Sequence, residues 1–125
     1  MPVKTKPRTK RINVKPFSYL PPAIPNLSIK DSNGNTTPPY APKFTVSGTL
    51  QSSSGGTIYG LIIDPNNGSV ISTQSTTSQA NWSLPAFDLT GQQPALTRYT
   101  YLCKIAFESD NHDDATAGIA VQVQF

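Results

Sequence analysis

At 125 residues the chain is long enough for one domain and too short for two comfortable ones. Only 14% of its residues are charged and 36% are hydrophobic, while Ser, Thr, Asn, Gln, Gly and Pro are abundant. That composition disfavours helices and points to an all-β fold. The single cysteine excludes an internal disulfide framework, and the net charge of +3 conceals a strong asymmetry.

Residues 1–16 hold that asymmetry. Lys4, Lys6, Arg8, Lys10, Arg11 and Lys15 stand there without an acid, whereas residues 17–125 carry four bases against seven acids. A cationic leader joined to a mildly acidic body is the pattern of a tether to something anionic, with a solubilising tail as the alternative. Pro2, Pro7 and Pro16 would break the amphipathic helix of an organelle transit peptide. No apolar run reaches membrane-spanning length and the N-terminus has no hydrophobic signal region, so synthesis in the cytoplasm and no membrane partner are expected.

Residues 17–42 read as a proline-rich lashing segment, with Phe17, Tyr19, Leu20 and Ile24 as groups that pack on a surface, either the chain's own or a neighbour's. Proline fixes φ and removes a donor, so this stretch is expected to be extended and barred from the middle of a sheet. From residue 43 the pattern changes to strands separated by turn signals. Phe44, Val46, Gly48 and Leu50 alternate with Thr45, Ser47 and Thr49. Residues 57–63 are apolar on both faces, which suits a central strand or one covered by the arm. Asp64-Pro65-Asn66-Asn67-Gly68 is a hairpin signal, since both members of Asn-Gly tolerate φ > 0. A short polar strand over 69–75 belongs at an edge, and Ala80, Trp82 and Leu84 point one way from a strand ending at Pro85.

The clearest pattern lies at the C-terminus. Tyr99, Tyr101, Cys103, Ile105 and Phe107 alternate with Arg98, Thr100, Leu102, Lys104 and Ala106, and Ala117, Ile119, Val121, Val123 and Phe125 alternate with Gly118, Ala120, Gln122 and Gln124. Two long period-2 strands joined through Ser109–Asp114 make an antiparallel hairpin with Phe125 on the inward face.

Taken together, Phe44–Thr49, Asn81-Trp82-Ser83-Leu84-Pro85, Tyr99-Thr100-Tyr101-Leu102-Cys103 and the terminal Ala-Thr-Ala-Gly-Ile-Ala-Val-Gln-Val run resemble the immunoglobulin-like modules of bacteria and phages, over residues 43–125. The resemblance implies an immunoglobulin-like antiparallel β-sandwich of about seven strands carried behind an extended N-terminal arm. Tyr101, two residues before Cys103, matches the tyrosine-corner spacing, which implies a hydroxyl bonded back to the backbone. A second cysteine, a tandem repeat and a cell-wall sorting signal are missing, and this counts against a surface adhesin.

No nucleophile–base constellation emerges. The lone His112 falls in the hairpin loop, where neither an oriented partner nor a sheltered pocket is expected. Asp110, Asp113 and Asp114 beside it offer oxygen ligands that suit calcium, but calcium-loop glycine and glutamate spacing is missing and turn chemistry accounts for them equally well. No metal and no cofactor are expected. The sequons at Asn26, Asn35, Asn67 and Asn81 carry no weight in a chain this rich in Asn, Ser and Thr. Trp82, Tyr99 and Tyr101 are core residues first, while Tyr40 and Tyr59 are the better candidates for partner contact.

The expectation is a non-enzymatic assembly protein, such as a virion capsid, tail or decoration component, anchored by its arm to other protein subunits. A coat protein whose arm contacts nucleic acid belongs to the same reading. The alternative is an extracellular immunoglobulin-like module that binds glycans or proteins.

Overall fold

The structure is a computed structural model, and it describes residues 24, 26–50, 56–108 and 115–125. The six bases of the arm, Phe17, Tyr19, Leu20, and the acids Asp110, Asp113 and Asp114 with His112 lie outside the described residues.

Among the described residues eight strands are formed: β1 Ser28–Asp31, β2 Lys43–Thr49, β3 Thr57–Ile63, β4 Val70–Thr77, β5 Asn81–Ser83, β6 Phe87–Asp88, β7 Arg98–Glu108 and β8 Ala115–Gln124. They build two four-stranded antiparallel sheets. In the first, β2 pairs with β1 on one side and with β5 and β6 on the other. In the second the order is β4-β3-β7-β8, so β3 is central and the polar β4 is an edge, as its composition suggests.

Period-2 alternation decides which side chains lie between the sheets. Phe44 and Val46 of β2, Trp82 of β5 and Phe87 of β6 meet Ile58 and Ile62 of β3, all buried. Tyr101, Cys103, Ile105 and Phe107 of β7 and Val121 and Val123 of β8 complete the same core. Each large apolar side chain so buried contributes about 1.5–3 kcal/mol. Gly60, on the inner face of β3, lets Leu84 and the Phe87 ring approach the backbone where a Cβ would otherwise stand.

The sheet begins earlier than the boundary drawn at residue 43. Residues 26–37 are free of proline, and within them β1 pairs from Ser28 to Asp31 as an edge strand whose Ile29 enters the core. Ile24, expected to pack on a surface, packs half-buried against the chain's own core. The loop after β1 crosses to the second sheet: the Tyr40 amide donates to the Gln122 carbonyl at 2.8 Å, and the Gln124 amide donates to the Tyr40 carbonyl at 2.8 Å. Tyr40 is therefore buried, and the expectation of partner contact there is corrected.

Smaller corrections follow the same logic. The eight strands among the described residues agree with the about seven implied by the resemblance: six follow the patterns read from the sequence, and β1 and the two-residue β6 add two that were not legible. In the β3–β4 turn only Gly68 takes positive φ, at 74°, because the Asp64 carboxylate caps the turn by accepting the Asn66 amide at 3.0 Å. Ala80 is exposed, its carbonyl instead accepting the Leu50 amide. The Tyr101 hydroxyl accepts a bond from Gln93 Nε2 at 3.4 Å, so a side chain of the β6–β7 loop stands where the resemblance implied backbone. Phe125 does face inward, half-buried, with its ring 6.4 Å from that of Tyr101.

Candidate functional site

Three groups of side chains concentrate polarity or exposed apolar surface. The first surrounds Asp31 at the end of β1. Its carboxylate accepts the backbone amides of Ala41 at 2.8 Å, Asn33 at 2.9 Å and Asn35 at 2.8 Å, with Asn35 Nδ2 at 3.3 Å. The Ala41 amide is the main cause that holds the Asp31 pKa below the ordinary carboxylate value, against the opposing effect of burial. This carboxylate satisfies four donors that turn the chain from β1 towards β2.

The second group ties the β3–β4 turn to β7. The Tyr99 hydroxyl donates to Asp64 Oδ1 at 2.6 Å, and Asn66 Nδ2 donates to the Tyr99 oxygen. Donation to Asp64 raises the phenol pKa, since ionisation would break that bond. Asp88 behaves like Asp31, its pKa lowered by the hydroxyl and amide of Thr90. These carboxylates are held ionised as acceptors for loop donors, the reverse of the tuning that general acid catalysis needs. Burial pushes the Cys103 thiol up to about 12, which keeps it protonated at neutral pH.

The third group is the outer face of the β4-β3-β7-β8 sheet. Register aligns Val70, Ile63, Leu102 and Ala120 in one row across all four strands. Val70 is 52% exposed and Leu102 39% exposed. The adjacent rows hold Leu61 beside Lys104 and Tyr59 beside Ala106. Tyr59, Leu61, Thr73, Ala106 and Glu108 line a shallow, mostly apolar depression of about 200 Å³. Tyr59, expected as a contact residue, thus stands half-buried in this face, whereas Trp82 is a core residue at 1% exposure.

The arm residues Lys4, Lys6, Arg8, Lys10, Arg11 and Lys15 lie outside the described residues. Among the described residues no three His, Cys, Asp or Glu side chains gather as a metal-binding group, and no helix is long and apolar enough to cross a membrane. Sequence reasoning missed the role of Asp31 and the row through Leu102. The second had a signal: Leu102 is a large aliphatic residue on the otherwise polar half of an alternating strand. No protein-family model matches the chain, and none of the curated proteins compared with it matches either.

Proposed function

We propose that the chain is a non-enzymatic structural protein of a larger assembly, such as a capsid, tail or decoration component of a virion. The cationic arm anchors it and the sandwich serves as the rigid body that contacts its neighbours. The observation that carries this reading is the segregation of charge: six bases and no acid in residues 1–16, ahead of a body with an excess of acids. The commitment of Asp31, Asp64, Asp88 and Cys103 to turns and core supports the non-enzymatic part.

The arm offers charge without interleaved aromatics, which suits an acidic protein surface and, without sequence preference, a phosphate backbone. Protein anchoring is the reading adopted, because the bases run straight into the apolar Phe17–Leu20 stretch.

Sedimentation and electron microscopy of the full-length chain test the proposal beside a chain with all six arm bases changed to Gln. A regular assembly is expected for the first and its loss for the second. The assembly should also loosen at 1 M salt, where screening acts within about 3 Å. Equal behaviour of the two chains, together with glycan binding by the monomer, would overturn the proposal in favour of an extracellular binding module. Nucleic acid recovered only with the unmodified chain would identify the arm's partner as a genome. Truncation is the weaker design, since removal of residues 1–29 would also take Ile29 from the core.

A further inference from the structure

The exposed apolar row carries an inference that deepens the assembly reading and depends on that reading only for its setting: we propose that the outer face of the β4-β3-β7-β8 sheet is a two-fold contact with a second copy of this chain.

The face is self-complementary about the middle of β7. Its outward positions run Arg98, Thr100, Leu102, Lys104, Ala106, Glu108, with a cation at one end and an anion at the other. When two copies lie face to face with their β7 strands antiparallel, a dyad that crosses β7 beside Cys103 sets Arg98 against Glu108 of the second copy. The same operation sets Glu108 against the second copy's Arg98. In the central rows Leu102 then lies over the aliphatic stem of Lys104, Ile63 over Leu61, Ala120 over Gly118 and Val70 over Thr73, so three of the four contacts are apolar on apolar. Small residues on β8 permit close approach there, since Gly118 offers no side chain and Ala120 only a methyl. Lys104 keeps its ammonium at the margin, as long cationic side chains do above apolar surface.

Two further features suit the arrangement. Arg98 Nε already donates to Gln124 Oε1 at 3.0 Å, which holds the guanidinium on the face with its remaining donors unused by that bond. Aligned sheets pack about 10 Å apart with their strands rotated by about 30°. Over the roughly 17 Å from dyad to charge this rotation shifts each pair sideways by about 8 Å, within the joint reach of Arg and Glu side chains.

The size of the face sets the strength. β7 and β8 overlap their copies over roughly 34 Å, while β3 and β4, which flank only residues 102–108 of β7, overlap theirs over roughly 10 Å, so with strands about 4.8 Å apart the contact is about 400 Å² per copy, half of the ~800 Å² of a standard interface. Weak association in the high-micromolar range is therefore expected.

Full-length R98E and E108R chains, mixed and apart, test the proposal by sedimentation at up to ~1 mM. Alone, each variant brings like charges together twice in a homodimer, and self-association at least about tenfold weaker than in the unmodified chain is expected. Mixed, the two variants restore both opposite-charge pairs, one in its original sense and one reversed, so a 1:1 heterodimer of near-original affinity is expected. L102D should lose self-association in every pairing while remaining folded by circular dichroism. A mixture that associates no better than its components would overturn the proposal, and so would an unmodified chain that stays monomeric to ~1 mM. All chains carry the same arm, so association through residues 1–16 cancels from the comparison, and failure here would leave the arm's anchoring role standing.

Discussion

Gly48 of β2 and Trp82 of β5 are register partners in the first sheet, and the indole ring lies over the glycine so closely that a Cβ there would stand 2.7 Å from Trp82 Cζ2. The ring is 1% exposed, with Leu27 closing the same site at 3.2 Å from that Cβ position. Its Nε1 is buried without a hydrogen-bond partner, so packing rather than a polar bond keeps the indole in place.

G48A should therefore destabilise the fold by about 1–3 kcal/mol, the range of overpacked cores, because the indole is hemmed in and cannot retreat freely. Urea denaturation followed by the emission of Trp82, the chain's one tryptophan, measures it directly. A stability equal to that of the unmodified chain would mean that the ring is not seated against β2.

Asp31 predicts an acid-labile turn. Its folded pKa lies below the unfolded value near 3.8, so the stabilisation is fully present above that value and is lost as pH falls through the lower folded one. D31N should lower Tm at pH 7, and the difference from the unmodified chain should narrow below about pH 4 as the native carboxylate takes up its proton. Thermal melts of both chains between pH 2.5 and 7 check the sign.

Cys103 predicts a protected thiol. A pKa raised from 9.0 to about 12 lowers the thiolate fraction at pH 8 by about a thousandfold, and complete burial removes access as well. Labelling by a thiol reagent at pH 8 should follow the unfolding rate and rise sharply in denaturant. Rapid stoichiometric labelling of the native chain would contradict the burial.

Leu96 is the one described non-glycine residue other than Asn26 with positive φ, at 69°, and its side chain is 90% exposed. Asparagine tolerates that conformation; leucine is strained in it by about 1–2 kcal/mol. The bonds from the Leu96 amide to the Phe125 carbonyl and from the Phe125 amide to the Thr97 carbonyl hold the backbone there. L96G removes the strain at an unfolded-state entropy cost of about 0.5–1 kcal/mol, so a net gain of up to about 1.5 kcal/mol is expected in denaturant titrations.

Much of the β-sandwich was legible before any coordinates, and Leu102 and Tyr40 show where legibility stopped. Alternation fixes which residues share a face, so the inward set of β7 and β8 could be read locally; polarity marked β4 as an edge, while the apolar faces of β3 left a central strand and one covered by the arm both open. Alternation does not state which strands are neighbours. The row from Val70 through Ile63 and Leu102 to Ala120 exists only because four distant segments pair in one register. Tyr40 stands between Pro39 and Pro42 in the stretch read as a lashing segment, and only the path of the chain towards β8 buries it.

What the amino-acid order determined alone is the segregation of six bases into a leader and the period-2 rhythm of the body, since both depend on neighbours along the chain. What tertiary structure decided is where that rhythm is paired. Pairing draws β1 into the sheet, turns Asp31 into a hub for backbone donors, and collects scattered aliphatic residues into one exposed face, because contacts between sheets and across strands are set by register and not by sequence distance.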